Sequence, residues 1–137
     1  MLQCIERTKF LGIIIDQHLT WKNHINYVTK KIKRTTGALC RIRFYISQPI
    51  LRMLYYSLIY PHLHYGNIVW ANTYPTRLEK LFKLQKKISR IITFSSYTAP
   101  SLPLFNKLDI WNIHYLSPHS VSALIITYFH LILMISV

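Results

Sequence analysis

The side chains of this chain that could bind a metal ion or move a proton are seven histidines, two cysteines and four carboxylates. His62 and His64 lie two residues apart, and His18 and His24 lie near the start of a predicted helix. Neither pair has a carboxylate or a cysteine at the spacing that typical metal sites use. We therefore predict helix-end or partly buried histidines, with no metal ion and no other cofactor.

The four carboxylates, Glu6, Asp16, Glu79 and Asp109, are isolated from one another along the chain. Two-metal phosphoryl transfer needs carboxylates that converge on ions roughly 4 Å apart, and no two acids here are adjacent or one helical turn apart. The three glycines form neither a phosphate-binding loop nor a Gly-x-Ser-x-Gly elbow around a nucleophile. The sequence thus predicts no catalytic centre.

Cys4 and Cys40 are too few and too far apart for a disulfide framework or a zinc site. We expect free thiols in a reducing, intracellular compartment, either nuclear or cytoplasmic. The N-terminal segment contains no apolar run long enough for a signal peptide.

The charge balance indicates the class of partner. Seventeen Lys and Arg face four acids, which gives a formal net charge of +13 at pH 7. Such a surface attracts polyanions in a salt-dependent way, but charge alone does not choose between nucleic acid and an anionic membrane. A basic surface without a dedicated partner is the plain alternative.

An N-terminal strand and a long helix are the first elements that would position these cations. Residues 9–15 are apolar and β-branched, which favours a buried strand, with Gly12 marking a bulge or a close backbone approach. Apolar residues then recur in alternating steps of four and three, which predicts a helix of about seven turns with Thr20 at its N-cap. The residues of this apolar seam are Trp21, Ile25, Val28, Ile32, Thr35, Leu39, Ile42 and Ile46.

A second helix is predicted to start at Ser47, with Pro49 in its first turn, and Pro61 should kink or end it. Residues 62–70 indicate a more buried, irregular continuation in which Gly66 permits a turn. The apolar face of this helix consists of Leu51, Leu54, Tyr55, Leu58 and Ile59.

A third helix is predicted to begin with a capping box, in which Thr76 and Glu79 satisfy each other's backbone N–H groups. A loop over residues 95–103 and a short apolar stretch over residues 104–108 follow it. The residues that the third helix should bury are Leu78, Leu81, Phe82, Gln85, Ile88 and Ile92.

The C-terminal residues 121–137 carry no charge and reach only the lower length limit for a membrane-spanning helix. Polar residues interrupt this segment, and no Lys or Arg flanks it. We expect a tail that packs on the helices, or an out-of-frame or truncated extension, rather than a membrane span.

Thirteen of the seventeen cations fall on the first and third helices, away from their apolar seams. Because only Glu79 is acidic among them, we predict a surface that contacts a nucleic-acid backbone without reading its sequence. An ordinary solvated face, a membrane surface and a protein partner are the alternatives. The predicted contacts are Lys30, Lys31, Lys33, Arg34, Lys83, Lys86, Lys87 and Arg90.

Aromatic residues cluster in the second helix and after it, and they could offer stacking surfaces for bases. Their helical spacing favours a place in the core instead. These residues are Tyr55, Tyr56, Tyr60, Tyr65 and Trp70.

The order of several short segments resembles the region that follows the catalytic palm in jockey-like and related LINE-type reverse transcriptases of non-LTR retrotransposons. Together the segments cover about residues 8–113. They are Lys9–Asp16, Leu19–Ile25, Leu54-Tyr55 to Pro61, Tyr65-Gly66 to Val69-Trp70, Leu84-Gln85 to Arg90-Ile91-Ile92, and Thr98-Ala99-Pro100 to Leu104-Phe105.

The resemblance implies that Phe10, Leu11 and Gly12 form a turn like the primer grip, which supports the growing 3′ end. It also implies that the following helices are like the thumb, which holds an RNA or DNA template–primer duplex by its backbone. The paired catalytic aspartates of that family would precede residue 1. The resemblance therefore implies a catalytically incomplete fragment of an RNA-directed DNA polymerase.

A second pattern, formed by Trp21, His24-Ile25, Tyr55, Tyr65-Gly66 and Trp70, is similar to the helical N-terminal domain of an AlkB-type dioxygenase homologue, in a methyltransferase/dioxygenase-type protein. Iron/2-oxoglutarate chemistry needs two histidines and one carboxylate around the metal. The customary His-x-Asp order is absent from residues 16–18, so we expect no such activity. A small membrane-associated basic helical protein is the remaining alternative.

The fold that we predict is mainly α, with a short N-terminal strand or hairpin remnant, a bundle of three principal helices and an apolar C-terminal helix. The predicted divisions are residues 1–19 for the remnant, 20–94 for the basic bundle, 95–113 for a loop and short helix, and 114–137 for an apolar tail outside the resemblance.

Overall fold

The computed structural model describes residues 7–65, 67–70, 73–110 and 112–113. A short antiparallel hairpin precedes a series of helices, which confirms the mainly α fold class. Cys4, Glu6, Gly66 and the predicted tail over residues 114–137 lie outside the described residues. The strands are β1 (Arg7–Phe10) and β2 (Ile13–Asp16), and the helices are α1 (Lys22–Ile42), α2 (Gln48–Leu58), α3 (Tyr60–His64), α4 (Asn67–Trp70), α5 (Pro75–Ile92) and α6 (Ser101–Leu108).

The single buried strand predicted over residues 9–15 is wrong, because the chain reverses direction at Leu11 and Gly12. Both residues have positive φ angles, 47° and 82°, as the two central residues of a type I′ hairpin turn do. Phe10 pairs with Ile13 across the turn. The residues of β1 are exposed and those of β2 are half-buried, since β2 is the strand that packs on α1.

Helix α1 begins one residue later than predicted. Its N-cap is Trp21, which has a left-handed backbone (φ 60°) and makes no side-chain capping hydrogen bond. The predicted cap, Thr20, instead donates its hydroxyl to the carboxylate of Asp16. The same carboxylate accepts the Thr20 backbone N–H at 2.6 Å. Asp16 therefore fixes the connection between β2 and α1.

The apolar seam of α1 follows the prediction in its first half and departs from it in the second. Ile25, Val28, Ile32 and Leu39 are buried, but Thr36 faces the core in place of Thr35. An α-helix has 3.6 residues per turn, so a strict alternation of four and three drifts around it by about 20° per heptad. The helix ends at Ile42, so the predicted last seam residue, Ile46, lies beyond it.

Helix α2 starts at the predicted N-cap and ends before the predicted proline. Ser47 is the N-cap with Pro49 in the first turn, and the helix stops before Pro61, which occupies the first turn of α3. Of the predicted apolar face, Leu51, Tyr55 and Ile59 are buried, while Leu58 remains 47% exposed.

Helix α5 begins at Pro75 with Tyr74 as its N-cap, so the capping box predicted at Thr76 is wrong. Proline suits the first helical position because its missing N–H would have no partner there. Phe82, predicted to be buried, is half-buried and stacks on Phe105 of α6 at 6.2 Å. Helix α6 itself starts at Ser101, inside the predicted loop.

The core lies between α1 and α5, which pack on each other, and is closed by α2, α3 and α6. Gln85 is buried within it, as predicted, and its amide donates to the Tyr55 hydroxyl at 3.3 Å. Its carbonyl oxygen accepts the backbone N–H of Ile113 at 2.9 Å. The two bonds satisfy polar atoms that would be costly to bury unpaired.

Candidate nucleic-acid interface

A groove of about 490 Å³ separates the hairpin from the first turns of α1. Alternate residues of a strand share one face, and residues three or four apart share one face of a helix. Because β2 packs on α1, one side of the hairpin and one side of α1 face each other across the groove. The residues that line the groove are Arg7, Thr8, Lys9, Ile14, Asn23, Asn26, Tyr27 and Lys30, and none of these is acidic.

Tyr27 is the aromatic centre of this groove. The ammonium nitrogen of Lys9 lies 5.3 Å from the centroid of its ring, and that of Lys31 lies 4.8 Å from it. The hydrogen bond from Lys31, together with the charges of Lys31 and Lys9, lowers the pKa of the Tyr27 phenol. Cations from two elements thus converge on one half-buried aromatic ring, which is an environment that favours an anion.

A buried histidine joins the hairpin to the helix beneath the groove. The backbone N–H of Ile14 in β2 donates to Nδ1 of His24 at 3.2 Å. His24 is 2% exposed, and its ring lies 5.5 Å from that of Trp70 in α4. Burial lowers the pKa of His24, so the ring is neutral at neutral pH.

The residues predicted to resemble a primer grip form the tip of the hairpin. Phe10 and Leu11 are 63% and 72% exposed. Gly12 lies in the hairpin turn rather than at a bulge, and a Cβ built on it would make an ordinary van der Waals contact of 3.5 Å with the ring of Tyr65. Its positive φ, and not a close approach, therefore favours glycine here. Phe10 and Leu11 therefore expose their apolar side chains to solvent at the hairpin tip, where the Tyr65 hydroxyl donates a hydrogen bond to the backbone oxygen of Leu11.

The cations predicted on α1 divide between the groove and the outer face of the helix. Lys30 lines the groove, and Lys31 lies over Tyr27 at its edge. Lys33 and Arg34 are exposed further along α1. The structure thus brings two of the four together with the cations of β1.

The cations predicted on α5 lie elsewhere. Lys83 and Lys87 are exposed, Lys86 lies 4.0 Å from the ring centroid of Phe82, and Arg90 donates to the backbone oxygen of Ala99 at 2.9 Å. Because the buried faces of α1 and α5 pack on each other, these side chains are turned away from the shared core. None of them lines the groove.

Of the eight residues that line the groove, Lys30 alone was among the predicted contacts. The other seven are Arg7, Thr8, Lys9, Ile14, Asn23, Asn26 and Tyr27. Two signals could have revealed some of them. Arg7 and Lys9 alternate along β1, and Tyr27 and Lys31 have the four-residue spacing that makes neighbours on a helix. The alternation of Arg7 and Lys9 was not recognised, because residues 9–15 were predicted to form a single buried strand.

The aromatic residues assigned to the core are largely there. Tyr55 and Trp70 are buried, and Tyr56 and Tyr60 are half-buried. Burial, together with the neighbouring Tyr56, raises the pKa of Tyr60 to about 12. Tyr65 differs, since it is 55% exposed beside the hairpin tip.

Within the described residues, no three His, Cys, Asp or Glu side chains are grouped closely enough to hold a metal ion. Cys40 is an exposed free thiol. In the same part of the chain, none of the helices has the length and apolar character that a membrane crossing requires.

No protein-family model matches this chain. No solved structure matches it either. Its sequence is similar to that of a curated protein of Drosophila melanogaster, described as "Probable RNA-directed DNA polymerase from transposon X-element", with 23% identity over 105 residues. The alignment covers 74% of this chain but 12% of that protein, so the chain spans about one eighth of its relative's length.

This similarity supports a reverse-transcriptase-like relationship and nothing finer. The similarity to an AlkB-type N-terminal domain is not shown by these comparisons.

Proposed function

We propose that this chain is a non-catalytic segment of a reverse-transcriptase-like protein that holds a nucleic-acid duplex by its sugar–phosphate backbone. The observation that carries this proposal is the groove between the hairpin and α1. There, Arg7 and Lys9 of one element face Lys30 of another, with Lys31 at the edge.

Backbone binding fits the chemistry of these side chains. Lys and Arg neutralise phosphates and release the counterions condensed on them, a favourable process that does not depend on base sequence. The amides of Asn23 and Asn26 can donate hydrogen bonds to phosphate or sugar oxygens from the same wall. The groove therefore offers several contacts to a strand, and none of its described lining residues is a carboxylate that would repel it.

The outer face of α5 carries a second set of cations that could contact a nucleic-acid backbone. Lys83 and Lys87 are exposed there, and neither lies over an aromatic ring of the residues that the structure describes. Lys86 and Arg90 are partly occupied by Phe82 and by Ala99, so we expect smaller contributions from them. We therefore treat Lys83 and Lys87 as a second, separate set of proposed contacts to a duplex.

The proposal is tested by titrating the chain with a fluorescently labelled duplex, as RNA, DNA or hybrid, at several salt concentrations. Each phosphate contact contributes about −0.9 to the slope of log affinity against log salt, so the four cations of the groove should contribute about −3 to −4, to which any contacts on α5 would add. An affinity that does not change with salt would contradict backbone binding.

The groove is located by two substitutions and one matched control. Lys9→Gln and Lys30→Gln should each reduce the salt slope by about one phosphate contact. Lys107→Gln removes the same charge from the exposed surface of α6, outside the groove lining, and should leave the slope nearly unchanged. Equal effects of all three would indicate unspecific attraction by net charge.

Binding to a membrane surface is the alternative function, and a separate vesicle experiment tests it. Vesicles of anionic lipid and vesicles of neutral lipid are mixed with the full-length chain and with a chain lacking residues 114–137. Partition onto neutral vesicles that is lost on deletion would favour the membrane over nucleic acid.

A further inference from the structure

The bond between the hairpin and α1 requires an unprotonated ring nitrogen. The N–H of Ile14 donates to Nδ1 of His24 at 3.2 Å, and both nitrogens of an imidazolium ion carry hydrogen. A protonated His24 could therefore not accept this bond. Nε2 of the same ring is buried and has no hydrogen-bond partner among the described residues.

The surroundings of His24 are apolar on the sides that the structure describes. Its ring faces Trp70 of α4 at 5.5 Å and Tyr27 of α1 at 6.4 Å. Tyr27 is the titratable group that faces it, and this phenol is neutral in the pH range where histidine titrates.

The charged groups of the neighbouring elements are directed elsewhere. Asp16 of β2 is bonded to Thr20, Lys9 of β1 lies over the outer part of the groove at Tyr27, and Arg77 of α5 donates to the carbonyl of Thr20. Burial by itself accounts for the lowered pKa of His24. A proton on this ring would consequently be a buried charge without a counter-ion, which is strongly unfavourable.

We propose that protonation of His24 releases the hairpin from α1, so that the groove is assembled at neutral pH and opens on acidification. The release is inferred from the bond between Ile14 and His24 and does not rest on the proposed function. Its effect on nucleic acid rests on the proposed function, because opening the groove removes Arg7 and Lys9 from the face of α1.

The direction with pH follows from the sign of the shift. The pKa of His24 is lower in the docked state than its value of 6.5 in open chain. The ring therefore stabilises docking fully above this open-chain value, and the contribution declines as the pH falls below it. The net charge of the chain has the opposite effect on binding, since protonation of histidines at lower pH strengthens the attraction to a polyanion.

The release is measured without nucleic acid, by hydrogen exchange of the Ile14 amide in the full chain. We expect its protection factor to fall about tenfold or more between about pH 7.5 and about pH 5, as a partly buried hydrogen bond is lost. The amide of Ile88 in α5 serves as the internal reference and should keep its protection. Parallel loss at both amides would mean global unfolding and would overturn a local switch.

Two variants separate His24 from the other histidines. His24→Gln retains a carbonyl oxygen that can accept the Ile14 N–H and does not titrate, so the pH dependence of Ile14 protection should disappear. His62→Gln is the matched control, because burial and the charge of Lys31 lower the pKa of His62, yet this residue lies on α3 and makes no bond to the hairpin. If His62→Gln removes the pH dependence, or if wild-type Ile14 stays protected at acidic pH, the proposal is wrong.

A duplex titration at the two pH values then tests the link to binding. Acidification should raise the affinity of His24→Gln more than that of the wild type, since the variant keeps its groove closed. Equal increases together with a clear loss of Ile14 protection would support the switch and contradict the groove as the binding site.

Discussion

The hydroxyl of Tyr65 donates a hydrogen bond of 2.5 Å to the backbone oxygen of Leu11, across 54 positions of the sequence. This bond fixes the tip of the hairpin to the segment between α3 and α4, while His24 fixes its second strand to α1. An isolated two-stranded hairpin is marginally stable at best in water. The hairpin therefore owes its position to these attachments and to the packing of β2, and the groove depends on all of them.

Removing the Tyr65 hydroxyl should loosen the hairpin tip. Tyr65→Phe deletes one partly exposed hydrogen bond and is expected to lower the local opening free energy of the hairpin by about 1 kcal/mol. The measurement is hydrogen exchange of the Ile13 amide next to the turn. Tyr45→Phe, at a residue that is 86% exposed, is the control and should have no effect there. Unchanged exchange at Ile13 would show that the tip is held by other contacts.

The two glycines described by the structure should respond oppositely to alanine. Gly12 has a φ of +82°, so Gly12→Ala forces a side chain into the left-handed region and should destabilise the chain by about 1 kcal/mol. Gly37 is an exposed residue inside α1 with nothing within 4 Å of an added Cβ. Gly37→Ala should stabilise the chain by about 0.5–1 kcal/mol through helix propensity.

Denaturant unfolding of both glycine variants at neutral pH provides the test. A stabilised Gly12→Ala variant would mean that the turn does not have the backbone conformation described, and a destabilised Gly37→Ala variant would contradict the open surroundings of Gly37.

The features that could be predicted from the sequence are those fixed by local periodicity and by proline. The buried residues Ile25, Val28 and Ile32 and the end of α2 before Pro61 follow directly from spacing and backbone chemistry. The hairpin could not be recognised, because its strands are four residues each and its turn consists of Leu11-Gly12, whereas Asn-Gly or Asp-Gly is the usual signal.

The candidate site was predicted only in part, for a related reason. Lys30 and Lys31 were selected because they lie off the apolar seam of a long helix, which sequence periodicity detects well. Arg7 and Lys9 join them through the docking of β2 on α1, a tertiary contact that no local pattern encodes. Their separation from Lys30 by more than twenty positions hides the groove in the sequence.

Asp16 should make stability depend on pH in the acidic range. Burial raises its pKa, but hydrogen bonds from Thr20 and the charges of His18 and Arg77 outweigh this effect and lower the pKa below 3.8. A lowered folded-state pKa means that the stabilisation is present above the open-chain value and is lost as the pH falls through the folded value. Asp16 is half-buried and its charge remains partly screened by water, so we expect a small contribution.

Asp16→Asn measures this contribution. The variant should lose the part of the acid dependence that lies below about pH 4, and at neutral pH its free energy of unfolding should be lower by about 1 kcal/mol or less. Asp109→Asn is the comparison, because Asp109 is a carboxylate on the exposed surface whose salt bridge to Arg52 is long, at 3.9 Å. Identical acid profiles for the two variants would rule out a special role for Asp16.

The outer face of α5 should contribute to duplex binding independently of the groove. Lys83 and Lys87 are exposed on a helix face turned away from the core, whereas Lys9 and Lys30 line the groove. If one duplex contacts both surfaces, Lys83→Gln with Lys87→Gln should reduce the salt slope by about two phosphate contacts, and combining them with the groove substitutions should add the two reductions. Titrations of the four chains, wild type, each pair and the combination, complete a double-mutant cycle. An α5 pair that binds like the wild type would confine the interface to the groove, and a combined loss smaller than the sum would show that the two surfaces compete for the same phosphates.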